Sequence, residues 1–592
     1  MKTPVKVLAA LLIFASSASF ADATSDFTTL LDEHWEWRMA TSPVMASMLG
    51  DRRYNDQWPD NSLDAIEQRH VEVRDFLRRV YALERNALSA DDQLNYELFR
   101  RQLQDDIDEH QFKSHLMPFS HRGGIQNLDN ITNQLRLNTV TDYDDWLIRL
   151  GKVDDQIETA ISMAESGRKS GYMPPGILMQ RVPDQLALQV VEFANESPFF
   201  RVFENMPESI SASERERLRA AASETIEKDL LPAYRKLDKY FNTRYLPATR
   251  DSVGLSALPN GSAWYEHLTR SFTTTRMTPD DIHRLGLEEV KRIRGEMQEI
   301  IDQVEFEGSF QDFLVFLRTD PQFYYDNPED LYEAYLATCK RIDPELVNLF
   351  GVLPRMPYGV KPIPESIAPD TTTAYYSRPA ADGSRAGIYW VNLYRPEVRP
   401  KYEIEVLSVH EAMPGHHLQI ALQQELGNIP NFRRFLGFTD FVEGWGLYSE
   451  RLGYDLGLYK DPYSRFGQLT YDMWRAVRLV VDTGLHYRGW TRQQAIDFFK
   501  ENAAKAEHDI VNEIDRYIGN PAQALAYKIG QLKILTLRER AERQLADNFD
   551  IRAFHDELLG AGALPLDLLE LRMDAWLTAE VARHAGDSVA PD

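Results

Sequence analysis

The chain has almost no cysteine, and this scarcity excludes several kinds of site. Among its 592 residues the one cysteine is Cys339. No intrachain disulfide is therefore possible, and zinc or iron–sulfur sites built from several cysteines are excluded as well. Any metal ion that the protein binds must be held by histidine, aspartate or glutamate side chains.

Basic charge is scarce too. The chain has 66 Lys and Arg against 91 Asp and Glu, which gives a formal net charge of -25. So acidic a surface repels phosphate backbones and anionic headgroups, and we therefore expect no nucleic acid as a partner. The sequence also contains neither a glycine-rich phosphate loop nor a Gly-x-Ser-x-Gly turn, so nucleotide and serine-hydrolase chemistry are not indicated.

Long apolar runs are missing as well, apart from a short one at the N-terminus. A basic start, apolar residues over 7–14 and small residues over 16–23 have the layout of a signal peptide. We expect residues 1–23 to be this signal peptide, cleaved near Ala21 or Ala23, with a buried N-terminal helix as the alternative. No later run approaches about 18 apolar residues, and no cysteine lies near the cleavage point. We therefore expect a periplasmic or secreted protein with no integral membrane segment and no lipid anchor.

The residues that are present predict a mainly α fold. Apolar residues make up 43% of the chain and aromatic residues 11%, which is enough for a large core. Apolar positions recur at three- and four-residue spacing, as at Leu77, Val80 and Tyr81, so residues 24–270 are expected to form an N-terminal helical region. Residues 271–592 are expected to form a catalytic helical region with a small sheet, intertwined with the first in one body.

Local signals place some elements in this second region. Thr278, followed by proline and two aspartates, predicts a helix start with Thr278 as the N-cap. The segments Thr373–Tyr376 and Gly387–Leu393 are β-branched and aromatic, and Ala381–Ser384 between them supplies a turn. We therefore expect a small antiparallel sheet near residues 370–395, beside the helix that carries the candidate active site.

Histidines cluster in one short segment. Three of the 14 lie in His410–His417, which reads His-Glu-Ala-Met-Pro-Gly-His-His. Helical zinc sites use two histidines at i and i+4, with a glutamate after the first histidine as the base. Here His410 and Glu411 match this opening, but position i+4 is Pro414, which does not fit a regular helix. A bulge would turn His416 onto the face of His410; ordinary histidines beside a helix kink are the alternative.

A second segment follows, Glu-Gly-Trp-Gly-Leu-Tyr-Ser-Glu over residues 443–450. Zinc sites with two histidines and one glutamate take their glutamate from a following helix, which makes Glu443 the candidate third ligand. Glu450 lies on the same helical face. A solvated helical carboxylate is the alternative, but the tryptophan and two glycines next to Glu443 are not typical of a solvated face.

Together the two segments resemble a known family. The pattern His-Glu-x-x-Pro-Gly-His-His-x-Gln, then Glu-Gly-Trp-x-Leu-Tyr-x-Glu, is similar to a large bacterial family carried as a domain of unknown function, and some members carry a lipoprotein label. The resemblance covers nearly the whole mature chain. More distantly, the layout is similar to the helical gluzincins carboxypeptidase Taq, angiotensin-converting enzyme and thimet oligopeptidase. Matching Gly415-His416 to their Gly-His pair implies His416 as the second ligand, with His417 as the alternative, in a gluzincin-like helical body.

The resemblance also implies further site residues. Hydrolysis of a peptide at zinc needs an activated water, a base and an oxyanion donor, and Glu411 is the base by position. An Arg-Tyr pair ending at Tyr517 resembles the pair that follows the metal site in the angiotensin-converting group, which implies Tyr517 as the leading donor. His486 is a second candidate and Tyr527 a recurrent family feature, with a structural role as the alternative for each. By analogy with gluzincins, the strand Gly387–Leu393 would pair with extended substrate backbone.

The sequence thus favours a zinc metallopeptidase that cleaves peptides with a zinc-activated water, with one Zn²⁺ held by His410, His416 and Glu443. A zinc hydrolase of a non-peptide ester or amide uses the same chemistry and is one alternative. A non-catalytic periplasmic protein that binds metal or peptide is the other. Glu411 favours an enzyme, because a carboxylate that binds no metal has little structural purpose beside a ligand histidine.

Overall fold

The computed structural model describes residues 6–365, 368, 372–380, 383, 385–427, 429–503, 505 and 507–587, and the side chains of those between 23 and 585. The chain divides into two units. Unit 1 comprises Met1–Val253, Ala257–Gly261 and Pro430–Arg433, and unit 2 comprises Gly254–Ser256, Ser262–Ile429 and Arg434–Asp592. The candidate site lies in unit 2.

Unit 1 is mainly helical, in agreement with the spacing of its apolar residues. Its elements are α1 (Lys6–Thr41), α2 (Pro43–Leu49), α3 (Leu63–Tyr81), α4 (Ala90–His110), the short antiparallel strands β1 (Phe119–Ser120) and β2 (Gly123–Gly124), α5 (Val140–Leu150), α6 (Val153–Ser170), α7 (Gly176–Met179), α8 (Val182–Ala187), α9 (Arg201–Glu204), α10 (Ala212–Thr225) and α11 (Leu231–Tyr240). Buried aromatic side chains such as Trp146 and Tyr234 lie in its core. The predicted signal peptide falls on residues whose side chains, except that of Ala23, lie outside the described part, so its cleavage stays a prediction.

The rest of the chain is helical too, with one small sheet. Its elements are α12 (Gly261–Thr273), α13 (Pro279–Gln303), α14 (Phe310–Thr319), α15 (Pro328–Ile342), β3 (Tyr358–Pro362), β4 (Ala374–Ser377), β5 (Gly387–Val391), α16 (Ile404–Glu411), α17 (His416–Glu425), α18 (Asn431–Phe435), α19 (Thr439–Leu452), α20 (Pro462–His486), α21 (Arg492–Asn502), α22 (Glu507–Gly519), α23 (Ala526–Leu545), α24 (Ile551–Leu559) and α25 (Leu566–Asp587). The fold is mainly α, as predicted. Within the described residues, no helix combines the length and apolar character that crossing a membrane requires.

Long helices form the framework of unit 2. α13 begins where predicted: the Thr278 hydroxyl accepts from the backbone N–H of Asp281, whose carboxylate accepts in return from the N–H of Thr278. α13 packs along α20, and α19 packs along α23. Glycine permits the contact between α19 and α23, since a Cβ at Gly444 would lie 2.5 Å from the Cα of Gly530. The side chains of α19 are thereby brought close to those of α23.

Gly444→Ala is expected to destabilise the fold, because the added methyl group meets the backbone of α23 rather than a movable side chain. We expect a loss of about 1–3 kcal/mol in the free energy of unfolding, the usual cost of overpacking. Gly295 is the matched control, since it lies in α13, is exposed, and an added Cβ meets nothing within 4 Å. Gly295→Ala should stabilise by about 0.5–1 kcal/mol. Urea unfolding measures both variants, and equal changes would contradict the close helix contact.

The small sheet has three strands in the order β3–β5–β4. β4 and β5 pair antiparallel, with Ala374 opposite Val391, as predicted. β3 was not predicted; it pairs parallel with β5, so the sheet is mixed rather than purely antiparallel. Of the predicted turn Ala381–Ser384, only Gly383 lies within the described residues. Because β5 has a partner on each side, it has no free edge for a substrate, and the expectation that Gly387–Leu393 pairs with substrate backbone is corrected.

Candidate metal centre

The histidine segment forms two helices rather than one bulged helix. α16 ends at Glu411, and α17 begins at His416 after a short connection. Gly415 makes this junction possible, because a Cβ there would lie 1.9 Å from the carbonyl oxygen of His410. The new helix therefore starts directly against the end of the old one. As a result the rings of His410 and His416 meet edge to face, with their centres 4.7 Å apart.

Glu443 completes a cluster with these two histidines. Its Oε2 lies 3.8 Å from Nε2 of His410 and 3.4 Å from Nε2 of His416. One ligand atom from each residue lies within 4.8 Å of the other two, and no other group of this kind occurs among the described residues. Gly446 lets α19 come this close, since a Cβ there would lie 2.8 Å from Cε1 of His410. Two imidazoles and one carboxylate are a donor set that fits zinc.

The electrostatics of the cluster suit a bound cation. Burial would lower the pKa of His410, but hydrogen bonds to Glu443 and Glu450 raise it to about 9. Burial would likewise raise the pKa of Glu443, but His410 and His416 hold it well below its ordinary value. Glu443 is therefore an ionised acceptor that faces two imidazole nitrogens, which is the state a metal ligand needs.

Glu450 fixes the orientation of His410 through Nδ1, the ring nitrogen that does not face Glu443. Its Oε1 lies 2.8 Å from Nδ1 of His410 and 3.3 Å from Nη2 of Arg475, and its side chain is fully buried. A histidine that donates its Nδ1–H to a carboxylate keeps the lone pair of Nε2 free for a metal. The sequence placed Glu450 on the right helical face, and the structure adds this contact.

Glu450→Gln is expected to weaken zinc binding about 10- to 100-fold, the usual effect of losing such an outer partner. The amide keeps the size of the side chain but removes the charge that orients His410. Competition with a chromophoric chelator measures the affinity. Glu425→Gln is the matched control, because Glu425 accepts from backbone N–H groups of Arg355 and Met356 and does not contact the cluster. Equal affinities for wild type and Glu450→Gln would contradict the orienting role.

The two adjacent histidines have different surroundings. Nε2 of His417 lies 2.9 Å from the carbonyl oxygen of Met356, and its Nδ1 lies 2.9 Å from the hydroxyl of Tyr376. Both nitrogens of His417 are thus engaged, and burial lowers its pKa to about 4. His416 instead directs Nε2 towards Glu443. The geometry therefore favours His416 over His417 as the second ligand.

Glu411 differs from the other two glutamates. It is the last residue of α16, next to His410, and is partly exposed. Within the described residues it makes no hydrogen bond and no ion pair, whereas Glu443 and Glu450 both contact histidine. Glu411 is therefore available to a substrate or a water molecule.

Comparison with known proteins identifies the family. Residues 43–573 match the family described as "Bacterial protein of unknown function (DUF885)". The chain belongs to this family. The membership that the sequence predicted is thereby confirmed.

Solved structures resemble this family member over almost its whole length. A crystal structure described as that of a "putative lipoprotein" from Colwellia psychrerythraea has 30% sequence identity and a TM-score of 0.87, with 95% of this chain and 99% of that chain covered. A "putative lipoprotein of unknown function" from Shewanella oneidensis has 17% identity and a TM-score of 0.71, with 92% and 99% covered, and shows the fold alone. No curated protein matches the chain in sequence.

The two predicted oxyanion donors are engaged elsewhere in this family member. The hydroxyl of Tyr517 donates to Oε2 of Glu513 at 2.6 Å and accepts from Arg478 and Trp474. Nδ1 of His486 accepts from a backbone N–H, and its Nε2 donates to the carbonyl oxygen of Tyr517 at 3.0 Å. Both side chains are fully buried, and neither has a proton left for a substrate. The assignment of Tyr517 and His486 as donors is therefore corrected.

Tyr527 is a tyrosine whose pKa is raised by burial and by the charge of Glu443. It lies on α23 one turn before Gly530, where that helix touches α19 beside Glu443. Burial and the carboxylate of Glu443 both raise the pKa of Tyr527, so its hydroxyl is a protonated donor near the candidate metal centre. Tyr527 is partly exposed, unlike Tyr517. Sequence reasoning noted Tyr527 as a family feature but did not assign its role.

Proposed function

We propose that this member of the family is a zinc-dependent hydrolase, and specifically a metallopeptidase. The observation that carries the proposal is the carboxylate of Glu411, which has no partner within the described residues and follows directly on His410 of the buried cluster. A metal-binding protein without turnover has no use for a free carboxylate at this point. The layout is also similar to that of the gluzincins, which pair a ligand histidine with a catalytic glutamate.

Three side chains would hold the metal. His410 and His416 would bind through Nε2, and Glu443 through Oε2, with Glu450 keeping His410 in place. Zinc in such a site would supply Lewis acidity. This lowers the pKa of a water molecule, so that it loses a proton more easily at neutral pH, and it polarises the carbonyl group of the substrate.

Glu411 would transfer the proton from the attacking water to the leaving amine. In peptide hydrolysis the attacking water loses a proton and the leaving amine gains one, and a single carboxylate performs both transfers when it lies beside the reacting carbon. Glu443 is unsuited to this task, because the two histidines hold its pKa well below the ordinary value and keep it deprotonated. Glu411, by contrast, makes no hydrogen bond or ion pair within the described residues.

Two further features would act on the substrate. Tyr527 would donate its hydroxyl proton to the oxygen that becomes negative when the carbonyl is attacked. β4 would align the peptide, since its one strand partner is β5 among the described residues, and it packs against α16. An edge strand pairs with extended backbone whatever the side chains, which suits a peptide substrate.

We also propose that the protein works outside the cytoplasm. The N-terminal layout of charged, apolar and small residues is that of an exported protein. The two similar solved proteins are each described as a "putative lipoprotein", which supports a place outside the cytoplasm. Edman sequencing of the protein recovered from its native host would test export: a start near residue 22 or 24 supports it, and an intact Met1 contradicts it.

Digestion of a peptide library by the zinc-loaded protein, followed by mass spectrometry, tests the proposed function. We expect new cleavage products that are absent after treatment with a chelator. Cleavage of esters or amides but of no peptide would favour the non-peptide hydrolase. Firm zinc binding without turnover of any of these compounds would favour the binding protein and contradict the proposal.

A further inference from the structure

Arg478 is a buried cation between three aromatic rings. Its guanidinium carbon lies 4.4 Å from the ring centre of Tyr527, 4.8 Å from that of Trp474 and 5.6 Å from that of Tyr517. Its side chain is 5% exposed. A cation over an aromatic face is attracted to the negative charge of the π system, most strongly where water is excluded. The guanidinium therefore holds the nearest ring, that of Tyr527, by its face.

Hydrogen bonds fix this guanidinium in place. Nε of Arg478 donates to the hydroxyl of Tyr517 at 2.9 Å, and Nη2 lies 3.3 Å from Oε2 of Glu513. Tyr517 donates to the same carboxylate, so the three groups form a closed set. The planar guanidinium cannot rotate without breaking these contacts. Tyr517, the donor that the sequence suggested, thus serves as an anchor for Arg478.

Tyr527 lies between Arg478 and the helix that carries Glu443. Among the described residues Arg478 bonds neither His410, His416 nor Glu443. Tyr527, in contrast, lies on α23 where that helix touches α19 next to Glu443. Tyr527 thus links the guanidinium of Arg478, which lies 4.4 Å from its ring centre, to the neighbourhood of Glu443.

We propose that Arg478 is a positioning residue, which holds the ring of Tyr527 and strengthens its hydroxyl as a hydrogen-bond donor to the oxyanion. This proposal rests on the proposed peptidase function. The charges agree with it: burial and Glu443 raise the pKa of Tyr527, whereas Arg478 lowers it. A positive charge stabilises the partial negative charge that the phenol oxygen acquires when it shares its proton. Without Arg478, the hydroxyl of Tyr527 would be a weaker hydrogen-bond donor, and its ring would be held in place less firmly.

A double-mutant cycle on the zinc-loaded protein tests this proposal. Tyr527→Phe removes the donor and should lower kcat about a hundredfold, with little change in KM. Arg478→Met removes the cation at similar volume and should lower kcat about tenfold. If Arg478 acts through Tyr527, the double variant should be no slower than Tyr527→Phe alone. Losses that multiply would overturn the proposal.

Binding of a phosphinic peptide gives a readout that does not depend on turnover. Its tetrahedral anionic group mimics the oxyanion, and calorimetry measures its affinity for each variant at equal zinc content. Arg478→Met should weaken binding about tenfold in the native background and leave it unchanged in the Tyr527→Phe background. A merely structural role would weaken both backgrounds alike, which would contradict the proposal.

Two more variants keep the test decisive. If Arg478→Met fails to fold, Tyr517→Phe removes the acceptor of Nε while the charge remains, and should lower kcat several-fold only when Tyr527 is present. Arg492→Gln is the control, since it breaks the ion pair between Arg492 on α21 and Asp515 on α22, which includes neither Arg478 nor Tyr527, and kcat should be unchanged. A further large loss from Tyr517→Phe in the Tyr527→Phe background would identify Tyr517 as the donor and overturn the proposal. A wild type that cleaves no peptide would overturn the proposed function first, and this inference with it.

Discussion

Replacement of Glu411 by glutamine is expected to lower peptide turnover at least about a hundredfold while the protein keeps its zinc. The amide matches the carboxylate in size but cannot accept the proton of the attacking water. Glu411 lies at the end of α16 and makes no hydrogen bond or ion pair with a histidine within the described residues, so its replacement should leave the metal ligands in place. Hydrolysis of the best library peptide and elemental analysis of the same sample measure the two effects together.

Glu405→Gln is the matched control for this variant. Glu405 lies on the same helix, and its carboxylate accepts from the backbone N–H of Tyr459 rather than facing the cluster. It should keep both zinc and turnover. If Glu411→Gln lost zinc as readily as a ligand variant, Glu411 would be a ligand and the proposed base would be wrong. If it turned over peptides normally, the reaction would need no base at this position.

His416→Ala is expected to lose the metal and with it all measurable turnover, whereas His417→Gln should keep both. His416 directs Nε2 at Glu443, while His417 has both nitrogens engaged by Met356 and Tyr376. Glutamine can replace those hydrogen bonds in part, so the second variant should be less stable but still able to bind zinc. Removal of one of three protein ligands leaves too few to hold zinc firmly.

Zinc content after dialysis, with thermal unfolding as the check on folding, measures this contrast. His410→Ala and Glu443→Ala should behave like His416→Ala, because each removes a ligand of the same cluster. Loss of zinc from His417→Gln together with its retention in His416→Ala would show that the ligand assignment is reversed. Turnover by all of these variants at the wild-type rate would separate the active site from the metal cluster.

The sequence predicted most of what depends on local signals. Thr278 begins α13 as its capping pattern requires, and the antiparallel pair of β4 with β5 follows from their composition. The cluster of His410, His416 and Glu443 was predicted from spacing and resemblance. These features depend on residues near one another in the chain or on a motif of known chemistry.

Other features depend on contacts that no local pattern records. At the break between α16 and α17, the carbonyl oxygen of His410 lies so close to Gly415 that no residue with a Cβ would fit there. Periodicity alone suggested a bulged helix instead. The different surroundings of Tyr517 and Tyr527 depend in part on Arg478, which contacts both of them from α20. Two such tyrosines look alike in sequence, because only the partners of their hydroxyl groups and rings distinguish them.

Titration of zinc into chelator-treated protein, with peptide hydrolysis followed at each addition, tests the zinc peptidase proposal most directly. The cluster of His410, His416 and Glu443 provides for one ion, so hydrolysis should be absent at the start, rise with each addition and level off near one equivalent of zinc. The His416→Ala protein should show no rise over the same range. Full hydrolysis by metal-free protein, or no hydrolysis of any peptide once the site is filled, would contradict the proposed function.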